Sequence, residues 1–103
     1  MADIDYSRIR REHLRWVLLL TLNNARPMGC HDSIALATVQ GIYPDATELE
    51  VRRELDYLAE RQLVDLDKKP DGRWVAKLNR CGMDLVEYTV DCEPGIARPE
   101  KYW

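Results

Sequence analysis

A chain of 103 residues, 46% hydrophobic and 32% charged, is one domain's worth of folded protein, with enough apolar mass for one core and little surplus. Its net charge of −3 argues against nucleic-acid affinity through bulk positive charge, because phosphate neutralisation supplies most of that affinity. The longest apolar run, Trp16 to Leu20 extended through Thr21 to Leu22, falls far short of the about 20 residues a membrane span needs and reads as a buried helix.

The opening Met-Ala-Asp-Ile-Asp has no basic stretch leading into an apolar one, so no secretory signal is expected and a cytoplasmic location follows. Cys30, Cys81 and Cys92 cannot all pair within one chain. A ligand set drawn from them and His31 departs from known zinc spacings, so reduced thiols and no metal or cofactor are expected. Charge is uneven along the chain. Residues 6–26 carry five Arg against Glu12, whereas residues 84–103 carry five acids against Arg98 and Lys101.

Residues 7–26 read as a first helix capped by Ser7 or Asp5. Ile9, His13, Trp16 or Val17, and Leu20 recur at helical spacing, and Leu14, Leu18 and Leu22 widen the stripe. Arg26-Pro27 followed by Met28-Gly29 ends it. A shorter helix is predicted from about Ser33 to Gln40, capped by Asp32 and stopped by Gly41. After a turn at residues 42–46, Thr47-Glu48-Leu49-Glu50 forms a T-x-x-E capping box that opens a third helix, ending near Arg61-Gln62. Its core face is Val51, Leu55 and Leu58, with Glu50, Arg53, Asp56 and Glu60 on the other side. Leu63–Asp67 and Trp74–Leu78 alternate as strands around Lys69-Pro70-Asp71-Gly72, a sequence suited to a type I turn. Asn79 caps a last short helix to about Tyr88, and an extended tail runs from Thr89 through Pro94-Gly95 and Pro99 to Tyr102-Trp103.

The order of three helices, a hairpin and a short helix is winged-helix connectivity, an α+β class with a two-stranded antiparallel wing over residues 1–88 and a tail over 89–103. Leu55-Asp56-Tyr57-Leu58-Ala59-Glu60-Arg61-Gln62-Leu63-Val64 resembles the junction between recognition helix and wing in the winged helix-turn-helix superfamily. Leu78-Asn79-Arg80-Cys81-Gly82 resembles its Leu-Thr-x-x-Gly exit, with Asn79 in place of Thr. The tail Gly95-Ile96-Ala97-Arg98-Pro99-Glu100-Lys101-Tyr102-Trp103 is similar to small proteins of Mu-like phages and prophages, whose roles are mostly unassigned. The superfamily resemblance implies that the third helix enters the major groove of double-stranded DNA while the wing meets the backbone. It carries DNA contact onto Thr47, Arg52, Arg53 and Tyr57 on the helix, and onto Lys68, Lys69 and Arg73 on the wing. Arginine reads guanine bidentately, whereas wing lysines would meet phosphates.

Two readings stay open. Helix 47–62 carries five acids against three Arg, and acids facing a duplex cost affinity. Its arginines are equally suited to pairing with those acids at helical spacing. The alternative to DNA binding is therefore a protein-interaction module with an acidic helix face. Its apolar patch would be built around Tyr102, Trp103 and Trp16. Arg8-Ile9-Arg10-Arg11 reads either as a backbone-binding arm or as a solvated face that satisfies the acidic tail of its own or a neighbouring chain. A homodimer through the first helix and tail is expected. Catalysis is not expected: His13 lies on the apolar stripe, His31 sits beside Cys30 in a loop, and no nucleophile elbow or phosphate loop is present.

Overall fold

In the computed structural model, which describes residues 4–102, the elements run α1 (Tyr6–Ala25), β1 (Cys30–His31), α2 (Asp32–Gln40), α3 (Glu48–Glu60), β2 (Val64–Lys68), β3 (Trp74–Leu78) and α4 (Arg80–Val86). This is an α+β winged-helix-like arrangement of four helices and an antiparallel sheet. The sheet has three strands in the order β1-β3-β2, not the two expected. Cys30 and His31, read as loop, pair with Ala76 and Val75 of β3. Two residues are too few to show an alternation, and their pairing depends on a strand more than forty residues downstream.

Asp5 caps α1 by accepting from the Arg8 N–H at 3.0 Å. The buried face of this helix is centred on Leu14, Leu18 and Leu22, with Trp16, Val17 and Leu19 beside them. Ile9 and Leu20, expected on the core stripe, are exposed. Burial starts only at Leu14, because the first two turns touch the body through Arg10, which bonds Glu50 and Asp45, rather than through apolar packing. His13 is half-buried and satisfied by the Tyr43 hydroxyl at 2.7 Å.

The cap of α2 differs from expectation. His31 occupies the N-cap and makes no side-chain cap bond, while Asp32 is the first helical residue and turns inward. Its carboxylate accepts from Arg52 Nε at 2.7 Å and from the Trp74 N–H at 3.4 Å. An ion pair within the fold outcompetes capping, since one backbone N–H is a weaker partner than a guanidinium. In α3, Thr47 Oγ1 accepts from the Glu50 N–H at 3.2 Å, but the Glu50 carboxylate turns to Arg10, at 2.8 and 2.9 Å, instead of back to the cap. The hairpin pairs Val64 with Leu78 and Lys68 with Trp74, and the Gly72 N–H closes its turn on the Lys69 carbonyl at 3.0 Å. Asn79 Oδ1 caps α4 by accepting from the Gly82 N–H, and the helix stops at Val86.

Beyond α4 the chain is a strap lying on its own domain, with no helix or strand among its described residues. Arg15 holds it by donating to the Gly95 carbonyl at 2.8 Å. The Ala97 N–H donates to the Glu12 carbonyl at 3.1 Å, and Arg98 donates to the carbonyls of Leu85 and Val90. Gly95 has φ +112°, and a methyl group there would overlap the Tyr57 hydroxyl, so the strap's close approach to α3 requires glycine. Arg15 also pairs with Glu54 of α3 at 2.8 Å, a carboxylate only 2% exposed. Arg15→Met strands that carboxylate, and urea unfolding is expected to show a loss of about 3–5 kcal/mol. Combining Arg15→Met with Glu54→Leu is expected to recover most of the loss, because no buried charge is left alone.

Candidate nucleic-acid interface

Gln40 Nε2 donates to the Ala46 carbonyl at 3.0 Å and braces the turn that joins α2 to α3. The outward face of α3 then presents Leu49, Arg53 and Glu60, with half-buried Asp56 among them. Leu49 is 67% exposed, and sequence does not single it out, because one leucine in a capping box reads as part of the helix start. Arg53 is exposed, and its side chain makes no ion pair or hydrogen bond among the described residues. Thr47 is exposed, but its hydroxyl oxygen is engaged as the cap.

Arg52 faces inward. Besides Asp32 it donates to the Gly72 carbonyl at 2.6 Å, pairs with Glu48 at 3.0 Å, and lies over the Trp74 ring at 4.9 Å. One guanidinium thereby joins α3, α2 and the wing turn. Tyr57 is directed to the strap rather than outward, with Arg15 3.5 Å above its ring and Arg61 at 4.9 Å. Contacts around Arg52 and Trp74 thus bring Lys68 and the wing turn up to α3, and leave Tyr57 apart from them.

Each wing cation has a carboxylate beside it. Lys68 meets Asp56 at 3.0 Å and lies over the Trp74 ring at 4.3 Å. Lys69 meets Asp67 at 2.6 Å, and Arg73 meets Asp71 at 2.6 Å. Arg73 holds the Asp71 carboxyl below the usual carboxylate range by hydrogen bonding to its charged form. Exposed pairs of this kind are worth about 0–1 kcal/mol, so a phosphate can displace any of these three carboxylates. The Arg52–Asp32 pair is different: Asp32 is 6% exposed, and removing its cation would leave a buried charge.

Two expectations about the chain ends are corrected. Trp16 is 7% exposed and sits edge-on to Tyr88 with ring centroids 6.4 Å apart, so it belongs to the core and not to a patch with Tyr102. Tyr102 is 91% exposed, and Trp103 lies outside the described residues. Within its own chain the Arg8–Arg11 cluster shows no ion pair with the acidic tail among the described residues: Arg8 pairs with Glu12, and Arg10 pairs with Asp45 and Glu50. The tail's Glu93 pairs instead with Arg61. Acids closer in space supply the partners. Among the described residues no three His, Cys, Asp or Glu side chains converge as metal ligands, and no helix is long and apolar enough to cross a membrane.

No family model and no curated protein matches the chain. Among solved structures, a chain of the hsRosR-S4 complex is similar in fold, with a TM-score of 0.65 over 81% of this chain and 73% of that one at 15% identity. This likeness supports the winged-helix-like architecture.

Arg52→Ala is expected to destabilise the domain by about 2–3 kcal/mol, since Asp32 loses its cation. Amide exchange should rise at Gly72–Trp74 and at the start of α2 together, which hydrogen-exchange mass spectrometry reads directly.

Proposed function

We propose that this chain is a DNA-binding winged-helix protein of a phage- or prophage-derived system, acting without catalysis in transcriptional regulation or DNA recognition. In this reading it works in the cytoplasm as a homodimer. The observation that carries the proposal is the Arg52 tie: by bonding Asp32 and the Gly72 carbonyl it fixes the wing turn to α3, so helix and wing can address one duplex as a unit. In helix-turn-helix proteins the second helix of the motif enters the major groove. Here that helix is α3, and Arg53 is its uncommitted guanidinium, suited to guanine O6 and N7. Lys68, Lys69 and Arg73 would exchange their carboxylates for phosphates, while Arg52 positions the wing and Tyr57 the strap.

A second reading, a protein-docking module, is favoured by one observation. Asp56, Asp67 and Asp71 stand within 3.0 Å of the wing cations and would remain close to any phosphate bound there. Their repulsion limits affinity, so binding should be weak and strongly salt-dependent.

Fluorescence anisotropy with mixed-sequence duplex DNA separates the two. With about three to four phosphate contacts, affinity should fall about 40- to 150-fold between about 50 and 200 mM salt. Changing Lys68, Lys69 and Arg73 to Glu should abolish it. Absence of binding at low salt would exclude DNA as the partner and leave the docking reading.

A further inference from the structure

Under the strap, a cavity of about 240 Å³ opens between α4, the end of α3 and residues 90–96. Its apolar lining comes from Leu63, Leu85, Val90 and Ile96. Leu63 and Leu85 are core residues, whereas Val90 is 45% exposed, so water would reach apolar surface that folding otherwise conceals. A cavity of about 150 Å³ lined by such side chains accommodates benzene. This space therefore admits one aromatic ring with a short substituent.

The rim is acidic. Asp84, Asp91 and Glu93 stand there against the guanidinium of Arg61. Arg61 is already paired with Glu93 at 3.1 Å, and the Asp84 carboxylate pairs with the exposed Arg80 at 3.5 Å. Asp91 has no ion pair or hydrogen bond among the described residues. An apolar floor under an excess of carboxylates suits a ligand that is apolar at one end and cationic at the other. A carboxylate-bearing ligand would meet repulsion from the same rim.

The geometry points to a binding site for a small amphipathic organic cation, an aryl-alkylammonium in class, between the strap and α4. The apolar end fills the space over Leu63, Leu85 and Ile96, and the ammonium group pairs with Asp91. The site touches both the strap and the α3–β2 junction at Leu63, so its occupant would bind the folded chain with the strap in place. Cys81, exposed at the rim, provides a built-in reporter. The other two thiols respond more slowly, because burial raises the pKa of both Cys30 and Cys92.

The test uses the whole chain and two probes of matched shape, benzylammonium and benzyl alcohol. Methyl NMR is expected to show shifts at Leu63, Leu85, Val90 and Ile96 with a dissociation constant on the order of 1 mM for benzylammonium. Benzyl alcohol should bind about threefold to fivefold more weakly, the range of a solvent-accessible ion pair. Asp91→Asn should bring the two probes close to parity, and benzylammonium should slow modification of Cys81 by a thiol reagent. Equal binding of the two probes by the unaltered chain would overturn the cationic class. Unmoved methyls at about 20 mM benzylammonium would overturn the site itself. Neither result bears on DNA binding.

Discussion

Arg15 and Glu54 form the contact through which three parts of the chain are held together. The Glu54 carboxylate is 2% exposed, so it depends on the guanidinium 2.8 Å away for what water would otherwise give it. The same guanidinium lies on the Tyr57 ring and donates to the Gly95 carbonyl. Helix α1, helix α3 and the strap therefore meet at one charge. A hydrophobic pair could have joined α1 to α3, and buried ion pairs are often no more stabilising than such a replacement. A hydrophobic pair could not have donated to a backbone carbonyl of a segment that has no helix or strand of its own.

Arg52 repeats this logic at the wing. It joins α2, α3 and the wing turn through a carboxylate, a carbonyl and the Trp74 ring. In both places an arginine side chain is suited to the task because its planar fork offers several donors in fixed directions and stacks on aromatic faces. Arginines that rigidify the domain are committed to internal partners, and under the proposed DNA-binding reading Arg53 and the wing cations are the groups left to meet a duplex. A domain with an overall charge of −3 can then bind a polyanion only through a small, well-positioned set of contacts.

Much of the fold was legible in the sequence because local signals agreed with the global arrangement. Thr47 and Asn79 act as caps, and the Lys69–Gly72 turn closes the wing as its residue types require. What was not legible depended on contacts between distant residues. Glu54 looks like any other acid of a charged helix until Arg15 is placed against it. Asp32 looks like a cap until Arg52 arrives from twenty residues away. Strand β1 has too few residues for a period, and the strap has no periodicity at all, being held by backbone carbonyls that sequence does not distinguish. The same limit applied to the candidate surface: residue type suggested Arg52 and Tyr57 as outward groups, and only the packing of the wing turn and strap turns them inward.

Amide NMR of the chain, titrated at low salt with a short mixed-sequence duplex, tests most directly whether α3 and the wing act as one duplex-facing surface built around Arg53. Shifts concentrated at Leu49–Arg53 and at Lys69–Trp74, with the strap around Gly95 unmoved, are the predicted result. Shifts confined to the strap or to α1, or no shifts at all, would contradict it.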